Sequence, residues 1–164
     1  MTNTPAILQL GQYLKDLSFE NFTLEGPAPA TPGVEVNIQV DIRALSAPPT
    51  PQDRLVSGDY ETMLKISVNG QRNASGQSDA ATPGNDKPLF IVEITYGGRF
   101  RIANVPAAEL EPFLAIEAPR LLFPFVRQII AEAAMHGGMP PLLIAPVDFL
   151  AIYQQQKGNI SKNA

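Results

Sequence analysis

The side chains that most often carry catalysis are almost absent from this sequence. It contains one histidine and no cysteine, so thiol nucleophiles, disulfide frameworks and thiolate zinc sites are excluded. The histidine, His136, stands beside Gly137 and Gly138, where its charge would complement the carbonyl end of a helix. The glycines form no phosphate-binding loop, and the acidic residues lack the spacing of a calcium loop. The sequence therefore predicts no catalytic residue, no metal and no cofactor, and favours a protein that is not an enzyme.

The charge is distributed unevenly along the 164 residues. Twelve Lys and Arg against sixteen Asp and Glu give a net charge of −4, the wrong sign for binding a nucleic-acid backbone. Residues 1–61 hold eight acids and three bases, which could offer a docking face to a basic partner or simply keep the surface soluble. The N-terminus lacks the parts of a secretory signal, and no uncharged stretch is suited to span a membrane. We expect a cytoplasmic protein without direct membrane insertion.

Four segments have the pattern of β-strands. Residues 34–43 alternate apolar and polar side chains at every position, as a strand with one buried and one wet face does. The other three segments follow this period less strictly, and they cover residues 13–24, 60–68 and 89–96. Residues 70–88 are rich in Gly, Asn, Ser and Asp, which predicts a mobile loop.

After Gly97 and Gly98 the pattern becomes helical. We expect a short helix at 106–117, a long one from Pro119 to the glycines at 137 and 138, and a final amphipathic one at 147–156. Strands followed by helices predict an α+β fold with an antiparallel sheet. The long helix carries an apolar stripe wider than one sheet face needs, which favours a homo-oligomer over a monomer that buries the helix in its interior.

Several apolar side chains stand where a protomer's core is not an obvious location. Phe19, Phe22 and Leu24 precede a proline-rich segment, and Leu142 to Pro146 lie in an irregular linker before the last helix. Such residues either form a small satellite core under the loops or provide an exposed binding surface. A pocket for an apolar ligand, as in a small-molecule or lipid carrier, is a further alternative.

Four segments, taken together and in order, resemble the SecB family of bacterial protein-export chaperones. They are YLKDLSFE at 13–20, EITYGGRF at 93–100, APRLLFPFVR at 118–127 and PLLIAPVDF at 141–149. The resemblance covers residues 9–156, which makes 1–164 a single SecB-like domain with frayed ends at about 1–8 and 157–164. The predicted loop around 70–88 is longer than this family leads us to expect.

The resemblance implies a four-stranded antiparallel sheet followed by a long and a short helix, assembled as a dimer of dimers. It further implies a cytoplasmic homotetramer that holds unfolded precursor proteins without ATP and delivers them to the SecA translocation ATPase. In this family SecA binds an acidic sheet face. The positions of this sequence that match that face are Asp16, Glu20, Ile91 and Glu93.

The resemblance also implies grooves that bind the unfolded client. Family members line these grooves with the connection after the first strand, the irregular linker and the last helix. The matching residues are Phe19, Phe22, Leu24, Leu142, Ile144, Phe149, Ile152 and Tyr153. The apolar residues without an obvious core role thus receive a function, because an unfolded chain could cover them.

Overall fold

The structure is a computed structural model, and it describes residues 4–25, 33–47, 50, 52–72 and 88–162. Four strands precede two helices, as the order of the sequence patterns predicts. Most of the loop predicted at 70–88 lies outside the described residues. The strands are β1 (Ala6–Asn21), β2 (Gly33–Ala44), β3 (Leu55–Gln71) and β4 (Phe90–Pro106), and the helices are α1 (Leu110–His136) and α2 (Phe149–Lys162).

The four strands form one antiparallel sheet in the order β1-β4-β3-β2. The long central strands β3 and β4 have buried residues along most of their length, whereas β1 and β2 form the two edges. Because side chains alternate along a strand, the sheet has a helix face, turned toward α1, and an outer face on the opposite side. The predicted α+β class and antiparallel sheet are confirmed.

Helix α1 covers the two central strands and leaves the edges partly bare. The core joins helix residues such as Leu122 and Val126 to strand residues such as Leu64 and Phe100, all of them fully buried. On the helix face of β1, Leu14 and Leu17 stay exposed, and on that of β2 Val34 and Val36 do. Apolar side chains of the helix face therefore remain uncovered along both edge strands.

Helix α1 is continuous, which corrects the prediction of two helices separated at Pro119. It has 27 residues and contains both Pro119 and Pro124. A proline removes one backbone hydrogen bond, but buried side chains continue on both sides of Pro119, from Leu114 and Ala118 to Leu122. Packing against the sheet on both sides of each proline therefore holds the helix together. Its predicted end is confirmed, since the N–H of Gly137 bonds the carbonyl of Ala133 at 3.0 Å.

Strand β4 continues to Pro106, so the prediction that the chain becomes helical after Gly98 was wrong. The two glycines provide close approach rather than a strand end. A Cβ on Gly97 would lie 2.7 Å from the ring of Tyr13, and one on Gly98 would lie 2.7 Å from a methyl group of Leu122. The glycines thus admit a ring from the neighbouring strand on one face and the helix on the other.

The contact of α1 with the sheet predicts a steep cost for shortening Leu122. We expect Leu122→Ala to lower the free energy of unfolding by about 2–5 kcal/mol, because the side chain is fully buried and leaves a cavity. Leu143→Ala removes the same atoms from a side chain that is 66% exposed, and we expect less than about 1 kcal/mol. Urea denaturation of both variants checks this, and equal losses would contradict the described core.

Candidate functional site

The outer face of the sheet brings together the four residues of the predicted SecA site. In the pairing of β1 with β4, Asp16 lies opposite Thr95, Ser18 opposite Glu93 and Glu20 opposite Ile91. Asp16 and Glu93 also line one shallow depression of about 370 Å³ on this face. The three carboxylates are exposed, and we call Asp16, Glu20 and Glu93 the acidic patch.

Two further acids of the outer face, Asp59 and Asp41, are neutralised by basic neighbours. Asp59 accepts two hydrogen bonds of 2.8 Å from Arg101, and this pairing lowers the pKa of the Asp59 carboxyl. Asp41 forms an ion pair of 2.6 Å with Lys65. Glu35 of β2 lies on the same face, opposite Asn69, and is exposed without an ion pair, so the unneutralised negative charge of the described outer face lies at the acidic patch and at Glu35.

Glu61 is the buried acid of the outer face, and the sequence analysis did not single it out. Its side chain accepts a hydrogen bond of 2.7 Å from the hydroxyl of Tyr13 and one of 2.6 Å from Arg43. Arg99 lies 3.9 Å from the same carboxylate. The Tyr13 hydrogen bond, together with Arg43, lowers the pKa of Glu61, and the same bond raises the pKa of Tyr13. The cross-strand partners Arg43 and Arg99 become recognisable only once the register is known.

Two clefts open between β2 and α2, and together we call them the β2–α2 cleft. One has a volume of about 690 Å³, with Val40 and Ile42 on the strand and Tyr153 on the helix. The other, of about 450 Å³, has Val36 and Ile38 on the strand and Ile152 on the helix. The apolar row of β2 that lines these clefts was not predicted as a binding surface. Alternation of apolar and polar residues indicates that one face of a strand is covered by the protein's own core, and this face is left partly open.

Four of the predicted groove residues lie where a client could reach them. Leu24 is 99% exposed, Leu142 is half-buried, and Ile152 and Tyr153 are half-buried walls of the β2–α2 cleft. Lys157 stands over the ring of Tyr153 and donates a hydrogen bond of 3.1 Å to its hydroxyl. The accessible apolar surface thus combines a loop position, the linker and α2.

The other four predicted groove residues belong wholly or partly to the protomer's own packing. Ile144 is 7% exposed and Phe149 is 2% exposed, and Phe149 packs edge-on against Phe123 at 5.9 Å. Phe19 stacks on Phe90 at 6.4 Å. Phe22 is half-buried, and its backbone bonds that of Leu89. In this conformation Ile144 and Phe149 are part of the packed interior, so a client could not contact their side chains directly.

A second apolar area lies beside β1 on the helix face. Leu14 and Leu17 of the strand are exposed there, next to a helix that exposes Leu121 and Phe125. Phe125 stacks on Tyr96 with the ring centres 6.5 Å apart, which places the helix residue over the strand that pairs with β1. One side of the protomer therefore presents continuous apolar surface.

Two further properties of the described residues bear on what the site can hold. No group of three or more His, Asp or Glu side chains there is placed to bind a metal ion. Among the described helices, none has the length and hydropathy needed to cross a membrane.

An acidic sheet face combined with open apolar clefts suits a protein that binds other polypeptides. The family model described as "Preprotein translocase subunit SecB" matches residues 2–159. The chain belongs to the SecB family, and its function is that of a chaperone in protein export. This assignment favours protein export over the alternative of a small-molecule carrier.

The chain is also similar to individual proteins of this family. It is 45% identical over 153 residues to the protein-export protein SecB of Azorhizobium caulinodans, covering 93% of this chain and 83% of the relative. It is 42% identical over 163 residues to that of Hyphomonas neptunium, covering 99% and 85%. A SecB-like chaperone of Mycobacterium tuberculosis, solved in complex with a ChAD peptide from an antitoxin, has a similar fold. The TM-score is 0.61 at 11% identity, with 86% of this chain and 90% of that chain covered.

The environment of Glu61 predicts how stability depends on pH. Because the folded pKa of Glu61 lies below its unfolded value, the ionised carboxylate stabilises the fold above the ordinary glutamate pKa of about 4.3. That stability is lost as the pH falls through the folded pKa. Glu61→Gln should therefore be less stable than the parent at pH 7, and the two proteins should converge in acid. Urea midpoints measured from pH 7 to pH 3 check this, and a constant difference across the range would contradict it.

Proposed function

We propose that this chain assembles as a cytoplasmic homotetramer, holds unfolded precursor proteins without ATP and delivers them to SecA. The observation that carries the proposal is the separation of the two surfaces. The acidic patch lies on the outer face, and the β2–α2 cleft lies beside the helix face. A client and SecA could therefore occupy the same protomer at the same time.

The β2–α2 cleft supports client holding through the hydrophobic effect. An unfolded chain exposes apolar side chains, and burying each one contributes about 1.5–3 kcal/mol. Strand β2 is an edge of the described sheet, so an extended client could also pair with its free backbone groups. Neither interaction reads a sequence, and a folded client offers neither partner. Repetition of the cleft in a tetramer would add avidity.

The apolar surface beside β1 supports assembly. Strand β1 is the other edge of the sheet and is 16 residues long, which makes it a template for pairing with a second copy. Its exposed leucines continue onto Leu121 and Phe125 of α1. Pairing two sheets along β1 and packing the helices between layers would cover both, and it leaves the β2 edge for clients. This arrangement is a dimer of dimers.

The acidic patch supports docking of a basic surface of SecA. Replacing all three acids together, as Asp16→Asn, Glu20→Gln and Glu93→Gln, should weaken SecA binding about tenfold, because each exposed charge pair contributes about 0.2–1 kcal/mol. Added salt should weaken binding of the parent more than that of the variant. Isothermal titration with purified SecA measures both effects.

A matched variant separates the position of the charges from their number. Glu109→Gln, Glu117→Gln and Glu132→Gln change the net charge equally, but these acids lie at or on α1. We expect this variant to bind SecA like the parent, and both triple variants to suppress aggregation of an unfolded precursor normally. Equal weakening by the two variants would refute a localised docking surface.

Changes to the surface proposed to bind clients should impair client holding and leave SecA binding intact. Leu24→Ser combined with Ile152→Ser should reduce suppression of precursor aggregation several-fold, since both changes remove apolar area that a client would cover. SecA binding should be retained. The control, Leu45→Ser with Leu55→Ser, alters two exposed leucines that line neither cleft and lie outside β1. Light scattering during dilution of an unfolded precursor, without nucleotide, checks this, and a normal result for the first variant would contradict the proposed cleft.

A further inference from the structure

Strand β1 has two irregularities in its pairing with β4, and the second, at Lys15, decides which side chains of the second half of the strand reach the outer face. Leu14 lies opposite Tyr96 and Asp16 opposite Thr95, so Lys15 between them has no partner on β4. Such a β-bulge reverses the alternation of the residues that follow it. As a result Asp16, Ser18 and Glu20 lie on the outer face, and Leu17 and Phe19 lie on the helix face.

Regular pairing without the bulge would invert this surface. If Lys15 paired with Thr95, Leu17 would lie opposite Glu93 and Phe19 opposite Ile91. The outer face would then gain a lysine and two apolar side chains. It would lose Asp16 and Glu20, which would turn toward the helix. The bulge therefore sets the sign of the charge that β1 contributes to the outer face.

Contacts on each side of the bulge hold β1 in place, and we call each set of contacts an anchor. The two anchors require opposite alternations of the side chains between the helix face and the outer face. Before the bulge, the ring of Tyr13 lies over Gly97, and its hydroxyl reaches across β4 to Glu61 on β3, which holds Tyr13 on the outer face. After it, Phe19 is held on the helix face, stacked on Phe90 and packed against Gly137. Phe19 stands six positions after Tyr13, so regular alternation would place both on one face. Both anchors can be satisfied only if an extra residue is inserted between them.

The second anchor fixes the half of β1 that carries the acids. The side-chain amide of Asn21 donates a hydrogen bond of 2.9 Å to the carbonyl of Gly137. A Cβ on Gly137 would lie 2.6 Å from the ring of Phe19, so the ring would have to shift from its present position if a larger residue stood here. The φ of Gly137 is −79°, which any residue adopts, and the requirement is therefore one of space.

We propose that Phe19, Asn21 and Gly137 are positioning residues that turn Asp16 and Glu20 toward the outer face. They act against the contact between Tyr13 and Glu61, which alone would favour regular alternation along β1. If this second anchor is lost, the Tyr13 anchor prevails, the bulge disappears and the two acids turn inward. The role of these residues in docking rests on the proposed function, whereas their role in setting the register of β1 does not.

Engineered disulfides can report the register directly, because the chain has no cysteine of its own. A Ser18→Cys and Glu93→Cys pair should cross-link in the described register. A Leu17→Cys and Glu93→Cys pair should cross-link only in the shifted one. Gly137→Ala should raise cross-linking of the second pair several-fold and lower that of the first, and Asn21→Ala should act in the same direction. The control Gly11→Ala, on the same strand with open space around its Cβ, should change neither.

Deletion of Lys15 separates a shift of register from general loosening. Without this residue, regular alternation satisfies both anchors. In the chain that lacks Lys15, Gly137→Ala should therefore no longer favour cross-linking of the Leu17→Cys and Glu93→Cys pair. Increased cross-linking of that pair in both backgrounds would overturn the proposal, and so would unchanged cross-linking in the full-length Gly137→Ala protein. Cross-linking needs no partner, so its outcome is independent of whether SecA binds. If SecA binds the parent, Gly137→Ala should also weaken that binding several-fold.

Discussion

One helix cannot cover a four-stranded sheet, and this limit organises the whole protomer. Strands lie about 4.8 Å apart, so four of them are about 19 Å wide, whereas a helix with its side chains is about 10–12 Å across. Helix α1 accordingly buries the helix face of the central strands β3 and β4. The apolar rows of the edge strands remain exposed, Leu14 and Leu17 on one side, Val34 and Val36 on the other. Exposed apolar rows of this kind are typical of surfaces that bind another polypeptide.

The two uncovered edges and the outer face have different chemistry, which allows three kinds of contact at once. The β1 edge is continuous with the apolar side of α1 and suits a second copy of the chain. The β2 edge opens into clefts whose far wall is α2, and it suits a segment of unfolded protein. The outer face is polar. Its free negative charge lies at Asp16, Glu20 and Glu93 and at Glu35 of β2, while Asp41, Asp59 and Glu61 are paired with basic side chains. A basic partner can therefore dock without competing for apolar surface.

Much of the fold was predictable because periodicity is a local property. Residues 34–43 alternate without interruption, and the strand they predict is present as β2. The errors arose where tertiary packing overrides local preference. Pro119 does not end α1, since the core holds the helix on both sides, and Gly97 and Gly98 lie inside β4, since a ring and a helix approach them closely. The acids that share the patch could be located through the family resemblance, whereas the network around Glu61 and the burial of Phe149 required the register and the packing themselves.

Thiol labelling of the assembled protein tests most directly whether apolar edge surface stays reachable for clients. Since the chain lacks cysteine, Val36→Cys and Leu17→Cys each introduce one reporter, on β2 and β1 respectively. We expect rapid alkylation at position 36, which an unfolded precursor should slow and a folded one should not. We expect slow alkylation at position 17 with or without client, because the proposed assembly covers β1. An unreactive thiol at position 36, or one whose alkylation the unfolded precursor leaves unchanged, would show that the β2 edge does not hold clients.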